Sequence, residues 1–513
     1  MNKITTFIRS YPHLLLPAAI LFALEVATSF TPAYEYFIDE LYYVACAKRL
    51  AFGYVDHPPF APFLLRISGT LFGYSVTALR IVPALAGAAV VILTGLMARA
   101  MGGKRLAQTL AAITSITSPL FLTFFSFFSV NSLEVFFWTA AIYALIHLIN
   151  TGQSKVWLAF GAISGLALLT KHTYVLLGGA VLVALALSDQ RRHLASRQFW
   201  LGALLATALL APNIIWQITN GFPSLEFYRN AMLHKNIPTP PLEVFLTQVV
   251  VMNPIAFPIW TLGAWYLLFH AEGRRYRLVG FVFVILFAAL IVSHSSRPDR
   301  VAGIYPVAIA AGCVVLERLL EGRRRWFATA IASALLAVAL ALAPLSIPLL
   351  PPQASADYAA ATGLFKPMER GAGKASVLPQ LLADRIGWEH FAAEMADAFR
   401  SLPPDEQKRT SIYVPDYGHA GMLELRKEAL GLPDIFCPHN TYWMWGRDRK
   451  IESTVLAVVL NPKDLEGAFR DVRHMRQIRT PLTMPWRSDI GVFVAREPFV
   501  DLQQAWERTK HFE

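Results

Sequence analysis

Charged residues are scarce in this chain. Of its 513 residues, Asp, Glu, Lys and Arg make up 16%, whereas 55% are hydrophobic. A soluble protein is about a quarter charged, so this composition excludes a wholly soluble chain. Cysteine is rarer still, and the three cysteines have no spacing that indicates a disulfide framework or a metal site. No glycine-rich nucleotide-binding motif follows a predicted strand, so no nucleotide cofactor is expected.

What the chain has instead is long apolar runs. Within residues 1–350 they are about 20 residues long, which lets a helix cross a hydrocarbon layer roughly 30 Å thick. Prolines interrupt several of them, and a membrane helix tolerates proline where neighbouring protein satisfies the freed carbonyls. We expect an α-helical polytopic membrane protein with about eleven spans, at 11–29, 78–101, 106–122, 131–150, 156–170, 173–188, 198–218, 247–269, 277–293, 301–319 and 325–350.

The rest of the chain, 351–513, has the composition of a soluble domain. A helix is predicted over 378–402, and alternating helices and strands favour a layered α/β domain. Strands are predicted over 411–414, 455–460 and 491–495.

Two long loops are expected outside the spans of the transmembrane domain 1–350. They are the external loops 30–77 and 219–245. Residues 41–52 mix apolar and basic side chains, which predicts a helix lying in the membrane interface.

The distribution of Lys and Arg predicts the orientation. Basic residues concentrate in every second connection between spans, for example at 99–105, 191–197 and 274–277. Because cytoplasmic loops are enriched in Lys and Arg, the N-terminus is expected in the cytoplasm, and eleven crossings place the C-terminal domain outside it. The net charge of +11 is then mostly a topology signal. The basic clusters are short turns, so nucleic acid is not an expected partner.

Acidic residues gather just after the first span. Asp39 and Glu40 are adjacent, and Asp56 follows on the same predicted outer side. Glu134 and Lys171 are expected at the outer ends of their spans, where an ionisable side chain is costly unless it is paired or faces water. Each also has a structural explanation, because acids cap helices, polar turns are solvated, and lysine reaches from a helix end towards the interface.

Together these residues predict group transfer from an anionic lipid to a hydroxyl. A lipid phosphate is already a good leaving group, so it needs cations more than a general acid. The attacking hydroxyl needs a base, and desolvation raises the proton affinity of a carboxylate at the bilayer boundary. One base opposite a cationic site predicts single displacement with inversion at the sugar carbon. The candidate cations are Lys171, His57, Arg297 and Arg300.

Five segments of the membrane part carry recognisable motifs: Asp-Glu-Leu-Tyr-Tyr at 39–43, Gly-Tyr-Val-Asp-His-Pro-Pro at 53–59, Asn-Ser-Leu-Glu at 131–134, Leu-Leu-Thr-Lys-His-Thr-Tyr at 168–174 and Ile-Tyr-Pro at 304–306. With these motifs, the chain over most of its length resembles the polyprenyl-phosphate-dependent glycosyltransferases of the GT-C fold. The branch is that of the protein O-mannosyltransferases and the lipid A aminoarabinose transferases (glycosyltransferase family 39 type). In the C-terminal part, 417–421 and 439–446 are similar to segments that bacterial members carry outside the membrane.

The resemblance implies roles for individual residues. Asp39, with Glu40 beside it, matches the catalytic aspartate that acts as base, and Asp56 matches a second acidic position that orients sugar or acceptor. His57 stands where the aminoarabinose transferases carry a lysine, and 295–300 departs from their Gly-Lys sequence. Tyr43, Tyr54 and Lys171 match positions of the lipid-phosphate pocket. The full set expected to bind donor phosphate or substrate is Tyr43, Tyr54, His57, Lys171, Glu134, Arg297, Arg300 and Tyr305.

These observations predict a glycosyltransferase of the bacterial inner membrane, with a periplasmic C-terminal domain. It is expected to move a sugar from a polyprenyl-phosphate donor to a hydroxyl of lipid A, lipopolysaccharide, another envelope glycan or a protein. No cofactor is expected, and no ligand set for a divalent metal stands out. The alternative is a transporter or lipid-linked sugar flippase, which also needs many spans but places its charges near the midplane. A receptor or assembly subunit is a third class.

Overall fold

The computed structural model describes residues 3–235, 238–295, 297–321, 326–365, 376–459 and 461–513. Among these residues, seven helices are long and apolar enough to cross a membrane, and counting each of three bent pairs as one span gives ten. The helices of the membrane part are α1 (Lys3–Ser10), α2 (Pro12–Ala27), α3 (Ile38–Lys48), α4 (Phe60–Phe72), α5 (Val76–Ala100), α6 (Arg105–Ile116), α7 (Pro119–Phe125), α8 (Val130–Thr151), α9 (Val156–Leu168), α10 (Val175–Leu187), α11 (Arg197–Thr219), α12 (Pro223–Asn230), α13 (Pro241–Val251), α14 (Phe257–Phe269), α15 (Arg277–Val292), α16 (Tyr305–Leu319) and α17 (Trp326–Ser346).

The predicted polytopic helical membrane protein is confirmed, but the count of eleven spans is not. Every predicted span overlaps one of these helices. The span predicted at 156–170 is the short helix α9, and 106–122 and 247–269 each cover a bent pair. In the predicted loop 219–245, residues 236 and 237 lie outside the described residues.

Two of the three sharp bends among the described residues lie at a proline, and the third, of 114°, lies at Ser188 after α10. Helices α6 and α7 meet at 65°, with Pro119 opening α7, and the bend of 100° before α14 lies at Pro254. The side-chain amide of Asn253 donates hydrogen bonds to the carbonyls of Thr117 (3.1 Å) and Leu335 (3.0 Å). Buried carbonyl groups on neighbouring segments thus accept hydrogen bonds from the Asn253 side chain. In an apolar environment such backbone groups need partners within the protein.

The first external loop is more deeply buried than predicted. Helix α3 covers most of the segment expected at the interface, but Glu40 to Ala47 are all buried. It is covered by a helix of the C-terminal part, α22 (Tyr417–Leu430). Helix α3 therefore packs between two parts of the protein, and its position at the membrane interface stays a prediction.

The C-terminal part is a mixed sheet with helices. Its strand order is β2-β1-β3-β5-β4, with β1 parallel to β2 and β3, and β5 antiparallel to β3 and β4. The strands are β1 (Thr410–Tyr413), β2 (Ile435–Phe436), β3 (Thr454–Val459), β4 (Phe469–Arg479) and β5 (Asp489–Pro498). The other helices are α18 (Pro352–Thr362), α19 (Gln380–Ala383), α20 (Trp388–Arg400), α21 (Pro404–Gln407), α23 (Thr441–Gly446), α24 (Lys463–Glu466) and α25 (Leu502–Arg508).

The α/β fold class of this part is as predicted, with differences in detail. The three predicted strands correspond to β1, β3 and β5, and position 460 of the second lies outside the described residues. The predicted helix 378–402 is divided into α19 and α20. Strands β2 and β4 were not predicted, because β2 is only two residues long and the apolar residues of β4 recur at every third position (469, 472, 475 and 478) rather than at every second.

A buried arginine ties the two parts together. Arg385 is fully buried, and its guanidinium donates to the hydroxyl of Ser126 (2.6 Å), which follows α7. The same guanidinium lies 5.2 Å from the centre of the Phe127 ring. The C-terminal part is therefore packed into the membrane part rather than tethered to it.

Candidate active site

Asp39 lies in the first turn of α3 and is held from the C-terminal part. The hydroxyl of Tyr417, the first residue of α22, donates a hydrogen bond of 2.8 Å to its Oδ1. Helix α22 begins there because the carboxylate of Asp416 accepts from the backbone amides of Gly418 (2.8 Å) and His419 (3.0 Å), an N-cap. Residues that are 378 positions apart in the chain thus meet at one carboxylate.

Asp56 is held in the same manner by a second tyrosine. The Tyr42 hydroxyl donates to Asp56 Oδ1 at 2.7 Å and lies 2.6 Å from the hydroxyl of Thr441. Thr441 also accepts from the backbone amide of Val55 (3.0 Å), so α23 fixes the loop that carries Asp56. The rings of Tyr42 and Tyr417 are stacked, with their centres 4.9 Å apart. We call Asp39, Tyr42, Asp56 and Tyr417 the carboxylate–tyrosine cluster.

Lys171 is anchored between two membrane helices. Its Nζ donates to Glu134 Oε2 (2.6 Å) and to Asn131 Oδ1 (2.7 Å), both on α8. The other Glu134 oxygen accepts from the hydroxyl of Thr173 (2.5 Å). Lys171 and Glu134, which the sequence did not predict to contact each other, therefore form an ion pair.

Arg297 supplies a second cation near the cluster. Its Nε lies 3.2 Å from Asp299 Oδ1, and its side chain is still 56% exposed, which leaves the guanidinium accessible to a ligand. The Asp299 carboxylate raises the pKa of Arg297, and the charges of Asp39 and Tyr417 add to that effect. Lys171 in turn lies within electrostatic reach of Asp299. Arg297 is therefore electrostatically coupled to Asp39, and Lys171 to the carboxylate that pairs with Arg297.

Tyr228, on α12 of the second external loop, closes another side of this site. Burial raises the pKa of Tyr228, and the negative charges of Glu134 and Asp56 raise it further. Its hydroxyl lies 3.5 Å from His172 Nδ1. The second loop thus contributes Tyr228 to the site. Nothing in the sequence singles out this tyrosine.

Two other predicted site residues lie close by. Tyr43 is buried on α3, and burial raises its pKa, with further increases from Asp39 and Asp56. Its ring lies 4.9 Å from that of His57. Arg300 is half-buried and lies within electrostatic reach of Asp299.

Glu40 is not part of the reacting set, which corrects its predicted catalytic role. It pairs with Arg80 (3.2 Å), and both side chains are fully buried. The backbone amides of Phe37 (2.8 Å) and Phe128 (2.9 Å) also donate to its carboxylate. With four donor contacts filled, this carboxylate fixes the start of α3 rather than meeting a substrate.

Three other predictions are corrected by burial. The Tyr54 hydroxyl bonds to backbone groups of Cys46, Arg49 and Ala51 within its own loop. His57 is enclosed by Tyr42, Tyr43 and Tyr54, and both ring nitrogens have protein partners, so neither nitrogen is free to bind a phosphate. Tyr305 is fully buried and donates to Gln248 Oε1 at 2.7 Å. Tyr54, His57 and Tyr305 therefore support the fold around the site.

Five residues of the site were not predicted. Tyr417 and Thr441 lie within segments that carry the resemblance, but nothing in the sequence shows that these segments fold back onto α3. Asn131, Tyr228 and Asp299 are ordinary polar residues until the helices bring them together. In the described parts of the chain, no group of three or more His, Cys, Asp or Glu side chains is arranged to hold a metal ion.

Fold and site together define a class: a polytopic membrane protein in which loops of the membrane part and the C-terminal α/β part bring carboxylates and cations together. Residues 56–216 match the family described as dolichyl-phosphate-mannose-protein mannosyltransferase. The match includes Asp56, Glu134 and Lys171.

Curated relatives include two enzymes of Rhizobium johnstonii. The lipid A galacturonosyltransferase RgtD is 28% identical over 233 residues, 44% of this chain and 48% of the relative. The lipopolysaccharide core galacturonosyltransferase RgtB is 28% identical over 251 residues, 48% of this chain and 49% of the relative. The chain thus spans about half the length of the curated relatives it matches.

The whole fold is similar to that of ArnT from Cupriavidus metallidurans. The apo structure has a TM-score of 0.61 at 16% identity and covers 93% of this chain and 97% of ArnT. The structure bound to undecaprenyl phosphate has a TM-score of 0.59 at 16% identity and covers 92% and 97%. The expected GT-C fold is therefore confirmed over nearly the entire chain.

Proposed function

We propose that this protein is an integral membrane glycosyltransferase that moves a sugar from a polyprenyl phosphate to a hydroxyl of lipid A or lipopolysaccharide. The observation that carries the proposal is the position of Asp39, held by Tyr417 and within electrostatic reach of the cation Arg297. The family match, the two galacturonosyltransferase relatives and the fold of an enzyme that binds undecaprenyl phosphate support it.

In the proposed reaction Asp39 is the general base. Its carboxylate takes the proton from the acceptor hydroxyl while that oxygen attacks the anomeric carbon of the sugar. The bond between this carbon and the donor phosphate oxygen breaks, and its electron pair stays on the phosphate. The products are the glycosylated acceptor, with inverted configuration, and a polyprenyl phosphate that carries one more negative charge than the diester.

Lys171 and Arg297 stabilise the charge that develops on the leaving phosphate. Both are already oriented by carboxylates, Glu134 and Asp299, so little rearrangement is needed when the donor arrives. The planar guanidinium can bind two phosphate oxygens, whereas the ammonium acts as a point charge. Asp56, held by Tyr42, is assigned to orienting the sugar or the acceptor.

The proposed setting is the bacterial inner membrane. The N-terminus lies in the cytoplasm, and the domain 351–513 lies in the periplasm with the site, above the membrane domain 1–350. The basic loops on one side of the membrane part support this orientation. The contact between Tyr417 and Asp39 favours an enzyme over a transporter, because a transport site near the midplane has no need of a soluble partner.

Transfer in a purified system tests the proposal. The protein in nanodiscs is incubated with undecaprenyl-phosphate-linked hexose, hexuronic acid or amino sugar, and with lipid A or core lipopolysaccharide. We expect one donor to add a single sugar to the acceptor, seen by mass spectrometry, and to release undecaprenyl phosphate in equal amount. If no combination of donor and acceptor gives transfer, and the protein reconstituted in vesicles moves the donor from one leaflet of the bilayer to the other, the flippase alternative is established instead.

A further inference from the structure

The C-terminal part approaches α3 so closely that only glycine fits at the contact. A Cβ on Gly421 of α22 would lie 2.8 Å from the backbone carbonyl carbon and oxygen of Leu41. A Cβ on Gly418 would lie 2.5 Å from the side chain of Ile38. Two glycines three positions apart share one face of a helix, so they bring α22 directly against the turn of α3 that carries Asp39.

This close packing fixes the position of the Tyr417 phenol. One neighbour of its ring is Tyr42, stacked at 4.9 Å, and another is His439, whose ring centre lies 4.6 Å away. Its hydroxyl donates to Asp39 at 2.8 Å. The ring therefore has little freedom to turn, and the hydrogen bond restrains rotation of the carboxylate it contacts.

Restraint of the base matters for the chemistry. A misplacement of about 1 Å at a reacting group can reduce a rate by about a hundredfold. A hydroxyl donor also favours the ionised form of a carboxylate, which is the form that accepts a proton.

We propose that Tyr417 is a positioning residue for Asp39, so that the C-terminal part completes the active site of the transferase. This inference rests on the proposed function. It assigns the soluble part a role in the transfer step itself, beyond anchoring the protein or recognising an acceptor.

Several charged and titratable groups surround Asp39 and contribute to its pH response. Tyr43 lies on the same helix, Tyr417 on α22, Asp56 on the following loop, and Arg297 just before α16. The ring of His439 lies beside that of Tyr417. Replacing only the Tyr417 hydroxyl leaves all these other groups in place.

The test is Tyr417→Phe, with Tyr442→Phe as the matched control. Tyr442 is also a buried tyrosine of the C-terminal part, and its hydroxyl lies 3.1 Å from a carboxylate, that of Glu424. Both variants and the wild type are assayed in nanodiscs with the donor and acceptor that support transfer. The measurements are kcat, the donor KM, the pH profile of kcat and the melting temperature.

For Tyr417→Phe we expect kcat to fall about tenfold to a hundredfold with little change in donor KM. The acidic limb of its pH profile moves to higher pH, while Tyr442→Phe keeps the wild-type profile. An unchanged kcat and acidic limb would overturn the inference. The inference would also be overturned if kcat and the melting temperature both fell while the acidic limb of the pH profile stayed in place. That result is expected of a tyrosine that only stabilises the fold.

Asp39→Asn in the same assay separates this inference from the proposed function. If Asp39→Asn is inactive and Tyr417→Phe is normal, the transferase proposal stands and only the positioning role is lost. If Asp39→Asn retains full transfer, the assignment of the base fails, and the role of Tyr417 fails with it.

Discussion

Lys171 and Glu134 form an ion pair of 2.6 Å in which the side chains are only 17% and 7% exposed. Pairing of this kind orients the cation and offsets part of the cost of a charge beside the membrane, where an isolated charge is unfavourable. When a donor phosphate binds, the Lys171 ammonium therefore contacts both the phosphate and the Glu134 carboxylate. The pair therefore combines a structural role with the proposed binding role, and the two can be separated by mutation.

Lys171→Met should weaken use of the donor and destabilise the protein. Loss of a charged contact to phosphate predicts a decrease in kcat/KM of about tenfold to a hundredfold. Loss of the ammonium also leaves Glu134 buried without its cation, which lowers the melting temperature. Lys171→Met combined with Glu134→Gln should recover much of the stability but none of the transfer. Recovery of transfer in the double variant would show that Lys171 does not contact the donor.

Glu40→Gln should damage folding rather than chemistry. Its partner Arg80 is fully buried, and breaking a buried ion pair by removing one charge costs about 3–5 kcal/mol. We expect a clearly lower melting temperature in detergent and a near-normal kcat for the fraction that remains folded. A stable variant with a selective loss of kcat would return Glu40 to the catalytic set.

Much of the fold could be predicted because the lipid bilayer restricts which sequences can cross it. A helix that crosses hydrocarbon must be apolar whatever it packs against, so the spans were found without knowledge of their partners. The bends could not be predicted in the same way. Pro254 signals a break, but the angle of 100° depends on bonds that Asn253 makes to two distant segments.

The site was only partly predictable for a related reason. Glu134 and Lys171 stand out because an ionisable residue at the end of an apolar span is costly unless it is paired or faces water, and Asp56 stands out because it lies in a segment that carries the resemblance. The resemblance distinguishes Asp39 from Glu40, but the sequence does not show that Glu40 is the buried partner of Arg80, since neighbours on a helix point about 100° apart. Tyr417 could not be assigned at all, because its contact joins residues 378 positions apart.

Gly421→Ala should separate α22 from α3. The new Cβ would meet the Leu41 backbone at 2.8 Å, and backbone cannot yield as a flexible side chain does. Overpacking of this kind costs about 1–3 kcal/mol, and the shift should weaken the Tyr417–Asp39 bond and lower kcat. Gly467→Ala is the control, since no heavy atom lies within 4 Å of a Cβ at Gly467, at φ −71°. Wild-type kcat in Gly421→Ala would show that this contact does not control the site.

Acid should loosen the C-terminal part through Asp416. Burial acts to raise its pKa, but His419, hydrogen-bonded at 2.5 Å, and Arg487 hold the pKa of Asp416 well below its usual value. A carboxylate with a lower pKa in the folded state stabilises the fold above the unfolded pKa of about 4. That stabilisation is lost as the pH falls through the folded pKa.

Melting temperatures measured from pH 6 down to pH 3 test this account of Asp416. The wild type should lose stability progressively below about pH 4, and Asp416→Asn should start less stable and change less over the same range. Parallel curves for the two proteins would mean that another group controls the acid response.

The rate of sugar transfer by Asp39→Asn tests the central claim most directly. The substitution keeps the size of the side chain and removes its ability to accept a proton. We predict a loss of about 10²–10⁴-fold in kcat, with donor binding and melting temperature close to wild type. Transfer at the wild-type rate by this folded, donor-binding variant would contradict the claim that Asp39 is the base.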